Sequence, residues 1–304
     1  MEIDRSIKDR KEELLNYFRN RASESLNLVR NKFAENQPSH RAKAINEAII
    51  ASKQSLISTL RQKSDSENWS NLEKLECLLM INYCNIVIMI ESRNSVRAYE
   101  YMDFSRRVGE LWDPFCKLCF YYPINNIQLF VPPLFSDVKK QLTDEIIQYI
   151  NKLNISGDEK AELKAYYEKV WSLVTSGEIQ LELDLHFIYE DQKYVVDFKS
   201  GFGSNEKGNT NRLLLVASIY NNMVEKYNCL QFVRAEENNS YFNILKKSGV
   251  WDAYCGKEAY SMIYKYSGYD LKTWIDKNVN WANDFNQETT NHLDKMKLLQ
   301  YLIW

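Results

Sequence analysis

No apolar stretch in the sequence reaches bilayer length. The most apolar run, CLLMINYCNIVIMI at 77–90, falls short of the roughly 20 residues a spanning helix needs and is flanked by Glu73, Lys74, Glu76 and Glu91. A buried core helix is expected there, and no membrane partner. The opening MEIDRSIKDRKEELL mixes charges without the apolar h-region of an export signal, so the cytoplasm is the expected location. Six cysteines show no framework spacing and read as reduced thiols. Cys116 and Cys119 form a CxxC within WDPFCKLCFYY, but no second CxxC and no nearby His completes a tetrahedral site, so core packing is expected. Histidine is scarce at three residues. His40 falls in a linker and His292 in a polar helix, and neither is assigned chemistry. Helicase motifs are missing, which argues against a fused motor.

A strong net charge is also lacking, at −2, so the chain as a whole is no polycation. The distribution is uneven. Residues 1–63 carry thirteen Lys or Arg against eight Asp or Glu, a net +5 that leaves −7 for the remainder. That asymmetry suits a protein that grips a polyanion with one region and gathers carboxylates in another, although solvated helix faces would give the same count.

What is present is first of all helical. Ile7, Leu14, Leu15, Phe18, Leu26, Val29 and Phe33 recur at helical spacing over 4–35, and NQPSH breaks the pattern. Similar periodicity predicts helices over about 41–62 and 69–93. A fourth is expected over about 96–118, with Tyr101, Phe104, Val108, Leu111, Trp112 and Phe115 on its apolar face and Pro114 able to kink or end it. Residues 1–95 are therefore read as a helical region. Residues 96–304 are read as a second domain with a helical insertion at about 134–176.

The period then changes to two. In EIQLELDLHFIY, 178–189, Ile179, Leu181, Leu183, Leu185 and Phe187 alternate with Gln180, Glu182, Asp184 and His186. After a plausible turn at EDQ, KYVVDFKSG sends Tyr194, Val196 and Phe198 to one side and Lys193, Val195, Asp197 and Lys199 to the other. If the two runs form an antiparallel hairpin, Asp184, Asp197 and Lys199 converge. Two carboxylates suit a hard divalent cation, and a Lys beside them can position a water or steady an oxyanion. His186 shares that face and is expected to be a hydrogen-bonded structural residue. A further strand is expected at CLQFVRA, after the Gly-rich loop SGFGSNEKGNTNR and a helix. The loop lacks the G-K-[ST] of a Walker A motif, and contact with phosphate by Lys207, Asn209, Asn211 and Arg212 competes with ordinary loop solvation.

Asp184 followed by DFK at 197–199 resembles the PD-(D/E)xK nuclease superfamily, whose motif places one acid on a strand and (D/E)-x-K on its hairpin neighbour. The family's Pro before the first acid is replaced here by Leu183. The resemblance implies an α/β (α+β) fold with a restriction-endonuclease-like mixed central sheet flanked by helices. It implies that Asp184, Asp197 and the backbone carbonyl of Phe198 hold Mg²⁺, with Mn²⁺ able to substitute, and that Lys199 assists attack by water. The family usually adds an acid from a preceding helix. Glu110, in FSRRVGELWDPF, is expected in that role, with Glu162, Glu168 and Glu178 as competitors and a surface pairing of Glu110 with Arg106 or Arg107 as the plain alternative.

The function so implied is a type II restriction enzyme. It would be a homodimer cutting double-stranded DNA to 5′-phosphate and 3′-hydroxyl ends, with a cognate DNA methyltransferase encoded nearby. A related nuclease of repair or phage defence, and a non-enzymatic DNA-binding protein on the same fold, are the alternatives.

Overall fold

The computed structural model describes residues 1–174, 179–202, 206–223 and 225–304. A short 3-10 turn, Arg5–Asp9, leads into α1 (Lys11–Lys32), α2 (Pro38–Ser66) and α3 (Asn71–Val96). Pro38 opens α2, where its missing N–H costs no helical bond. Ser70 caps α3 through a reciprocal box with Glu73. These helices follow the expected spans closely. Helix α3 is apolar around its whole circumference, as an interior helix must be, and α1 and α2 pack on it.

The single helix expected over 96–118 is two: α4 (Tyr101–Gly109) and α5 (Asp113–Tyr121). Pro114 does not kink a continuous helix but lies in the first turn of the second one, where its missing N–H costs no helical bond. The chain continues through β1 (Gln128–Leu129), α6 (Phe135–Lys152) and α7 (Gly157–Val174), the last two filling the expected helical insertion. Then follow β2 (Leu185–Tyr189), β3 (Gln192–Lys199), α8 (Lys207–Asn221), β4 (Tyr227–Val233), α9 (Ser240–Lys247) and β5 (Asp252–Cys255). Helices α10 (Gly256–Ser267), α11 (Leu271–Asn278), α12 (Trp281–Asp284) and α13 (Gln287–Lys295) and a 3-10 turn, Leu299–Leu302, complete the described elements.

The five strands form one mixed sheet in the order β1-β2-β3-β4-β5. Strands β1, β2 and β3 pair antiparallel, while β3, β4 and β5 pair parallel. Glu190 and Asp191 link β2 to β3 with φ of 49° and 58°, a two-residue turn with both centres left-handed, which matches the twist of a tight hairpin. Each sheet face has its own core. Phe187, Val196, Phe198, Leu230 and Phe232 pack towards the N-terminal helices and α10–α13. Val195, Cys229 and Val233 pack towards α8 and α9.

The strand expected over 178–189 begins only at Leu185. Leu181 and Leu183 pack in the α8-side core, whereas Leu185 and Phe187 lie on the opposite face. Residues that alternate in sequence are therefore divided between two cores, and the chain crosses from one to the other at Asp184. Cys116 and Cys119 are fully buried on α5, as expected of packing residues.

The boundary expected near residue 95 does not mark a gap in packing, because one core runs from Ile7 to Leu302. Buried ionic groups also cross it. Asp284 accepts hydrogen bonds from Lys11 Nζ at 3.0 Å and Tyr83 Oη at 2.6 Å. Glu91 receives Arg19 at 2.8 Å and the Asn286 backbone N–H at 2.6 Å.

Candidate active site

Where β2 ends, a gap opens beside β3. Register continued from Leu185 opposite Val196 would set Leu183 against Phe198. Asp184 takes over that pairing, its Oδ2 accepting the Phe198 N–H at 2.8 Å. In a strand the N–H and C=O of one residue face the same edge, so the Phe198 carbonyl also points into the gap. The Leu183 N–H that a longer ladder would send it is donated instead to His186 Nε2 at 3.2 Å. Burial lowers the His186 pKa to about 4, so the ring is a neutral acceptor at physiological pH. His186 is thus structural, stacked edge-on against Phe130.

Asp197 lies on the α8 face of β3 and is only 3% exposed. It stands opposite Gln231 of β4, whose Nε2 donates to Asp197 Oδ2 at 3.0 Å and to its carbonyl at 2.9 Å. Arg212, from the second turn of α8, lies 3.5 Å from Oδ1. Burial raises the Asp197 pKa, opposed by Lys199 and reinforced by Asp184. Lys199 acts on Asp197 through space; among the described residues its ammonium makes no hydrogen bond or ion pair.

The other wall comes from α5. Edge-on contacts of Trp112 and packing of Phe120 against Phe198 hold this helix over β3. Asp113 and Lys117, one turn apart, face the gap, and Lys117 Nζ sits 2.9 Å from Asp113 Oδ2 and 3.2 Å from Asp184 Oδ1. Burial raises the Asp113 pKa, with Lys117 opposing and Asp184 adding to the shift. Burial pulls the Lys117 pKa down, but Asp184 and Asp113 outweigh it and the net shift is upward. Lys117 therefore remains a cation between two carboxylates.

The structure thus brings Asp184, Asp197 and Lys199 together, with Asp113, Lys117, Gln231 and Arg212 around them. Glu110 is not among them. It caps the C-terminus of α4, is 58% exposed and pairs with Arg107 at 3.1 Å, the helix-surface arrangement, because the chain turns between α4 and α5 and directs it away. Glu162 and Glu168 are exposed on α7, and Glu178 lies outside the described residues. The four residues expected in the Gly-rich loop lie instead in the first turns of α8: Arg212 enters the site, Lys207 and Asn211 are exposed, and Asn209 is half-buried with its amide Nδ2 unpaired. Asp113 and Lys117 escaped the sequence reading, although an Asp beside a helix-opening Pro with Lys one turn later is a visible signal. Gln231 could be found only from register.

Among the described residues no three His, Cys, Asp or Glu side chains converge as a ready metal cluster. The donor set is instead two carboxylates and one main-chain carbonyl, all hard oxygens of the kind Mg²⁺ takes. Gln231 Oε1 is a further buried oxygen without a partner. This chemistry fits a hard divalent cation, provided that Lys117 and Arg212 yield their places beside the carboxylates.

The Glu110 assignment can be separated from Asp113 by substitution. If the nuclease expectation holds, Glu110→Gln should leave cleavage near the wild-type rate, whereas Asp113→Asn should lower it by about tenfold or more by freeing Lys117 to neutralise Asp184 alone. Initial rates on plasmid DNA check both. The reverse order would return the helix acid to Glu110.

The chain matches no protein-family model, no curated protein and no solved structure, so its functional reading rests on the geometry of this site.

Proposed function

We propose that the protein is a Mg²⁺-dependent endonuclease acting on double-stranded DNA with a PD-(D/E)xK site. The observation that carries this reading is the convergence of Asp184, Asp197 and Lys199 at one end of β3, two acids and a base from adjacent runs of one hairpin. The site lies beyond the carboxyl ends of the parallel strands β3 and β4, where open α/β sheets bind ligands. In this reading Asp184, Asp197 and the Phe198 carbonyl hold the metal, with Mn²⁺ able to substitute. Bound Mg²⁺ would supply charge neutralisation at the scissile phosphate. Lys199, whose ammonium makes no hydrogen bond or ion pair among the described residues, would orient the attacking water by donating a hydrogen bond to its oxygen. The products would be 5′-phosphate and 3′-hydroxyl ends.

Helix α8 supports the DNA assignment. Its N-cap, Glu206, makes no side-chain cap among the described residues and the first turn beyond it holds no acid, so backbone N–H groups and Lys207 stand near Arg212 for a phosphate once the Glu206 carboxylate turns aside. A type II restriction enzyme is the specific class proposed. It would act as a homodimer alongside a methyltransferase encoded nearby, and repair or phage-defence nucleases are the neighbouring possibility. A DNA-binding protein without cleavage is the second reading. It is favoured by one observation, the occupation of the carboxylates by Lys117 and Arg212.

Incubation with phage DNA separates the two. Discrete bands with Mg²⁺, none in EDTA, and tighter binding without cutting in Ca²⁺ are expected. Ca²⁺ accepts the same oxygens at longer distance and looser geometry, so it screens Asp184 and Asp197 without aligning water and phosphorus. Binding that is equal with and without divalent ions, and never followed by cutting, would leave the binder.

A further inference from the structure

A second polar pocket, separate from the β3 site, lies between α2, the end of α3 and α4 and encloses about 380 Å³. Its floor is Tyr99, 2% exposed, whose hydroxyl oxygen faces the Arg107 guanidinium while its own proton has no acceptor. Arg93 packs over the Tyr99 ring at 4.4 Å, held there by Asp103 at 2.7 Å and by the Arg97 carbonyl. Asn46 also lines the pocket and carries an unpaired buried Oδ1. Leaving two such groups unmet costs roughly 1–3 kcal/mol each, so their convergence on one cavity points to something that binds there.

Charge defines what that is. The lining includes Lys43, Arg93, Arg97, Arg106 and Arg107 against Glu47, Asp103 and Glu110, a surplus of two positive charges. Arg106 makes no ion pair among the described residues. A phosphate monoester carries close to two negative charges near neutral pH and offers only acceptor oxygens. Guanidinium, ammonium and phenol groups are donors that match it, and the Asn46 amide turned over presents its NH₂. The volume is of the order that accommodates a small organic ligand.

We propose that this pocket binds a phosphate monoester, with the Tyr99 hydroxyl, Arg106 and Arg107 as its donors. None of these residues belongs to the β3 site, so the proposal stands or falls without the nuclease reading. Glu110 acquires a role here: by pairing with Arg107 it competes with the ligand.

Calorimetric titration of the full chain tests this, with adenosine 5′-monophosphate, inorganic phosphate and unphosphorylated adenosine as probes. Both phosphates should bind and adenosine should not. Equal affinity for the two phosphates identifies free phosphate as the ligand, and tighter binding of the nucleotide identifies a mononucleotide. Tyr99→Phe, which removes only the hydroxyl, should weaken binding about tenfold while the melting temperature without ligand is equal to or above wild type, since the unmet proton is gone. Arg107→Ala should weaken it by a similar factor, and Glu110→Gln should tighten it. Binding of adenosine as strong as that of its monophosphate, no binding of either phosphate at about 10 mM, or unchanged affinity in Tyr99→Phe would overturn the proposal. The last result would mean that the hydroxyl serves only a water.

Discussion

Asp197→Asn is expected to lower DNA cleavage by about 10²–10³-fold or more while leaving DNA affinity nearly intact. On the proposed reading most affinity for DNA would come from phosphate contacts, whereas Asp197 would act only where charge develops. The same substitution should not destabilise the fold. Burial raises the Asp197 pKa, which means that the ionised carboxylate is disfavoured in the folded state. The sign follows: a folded-state pKa above the unfolded value makes this group's contribution to stability fall as pH rises through that window. Asn removes the charge and keeps a side-chain oxygen for Gln231. A melting temperature equal to or above wild type, beside lost cleavage, is therefore the expected pair of results. Lys199→Ala should lose cleavage as well. Wild-type rates in both variants would show that the site is misassigned.

The second large effect concerns the fold. Arg19→Ala should cost about 3 kcal/mol, because it strips Glu91, only 4% exposed, of its guanidinium and leaves a buried carboxylate facing the Asn286 N–H alone. Thermal and urea denaturation would register it as a lower melting temperature and an earlier midpoint. Replacing Arg19 and Glu91 together by Met should recover part of the loss, since the unpaired charge is then gone. A single Arg19→Ala variant as stable as wild type would show that solvent reaches Glu91 in the folded protein.

The helical half of the fold is legible because helical periodicity is long-range in sequence: Leu14, Leu15, Phe18, Ala22 and Val29 mark the buried face of α1 over several turns. Strand β3 is legible for the same reason at period two, and with it the common face of Asp197 and Lys199. Periodicity fails where the chain changes layers. Leu181, Leu183, Leu185 and Phe187 form one perfect alternation, yet two point into each core, because the backbone bends at Asp184 and a carboxylate replaces the ladder. Asp113 belongs to the site through α5 packing on Phe198, a contact between residues far apart in sequence that no local pattern encodes. Glu110 looked the better acid on local pattern alone. The turn between α4 and α5, three residues long, reverses that choice. Strand β5, four residues of DAYC, is too short to carry a period and exists because β4 offers it an edge.

Helix α3 is the one described helix whose length and composition would suit a bilayer, and 94% of its most apolar window is buried by the rest of the chain. Part of that cover arrives late: Asp284 closes on Tyr83 across 201 positions, and Asn286 on Glu91 across 195. During synthesis, a ribosome that has released α1 to α3 must translate nearly two hundred further residues before the last of this cover exists. The nascent chain therefore presents an apolar helix with an open flank for many seconds, at elongation rates of roughly 5–20 residues per second. Such an intermediate is a substrate for holding chaperones, and aggregation of the protein during overproduction should track chaperone supply rather than the stability of the finished fold.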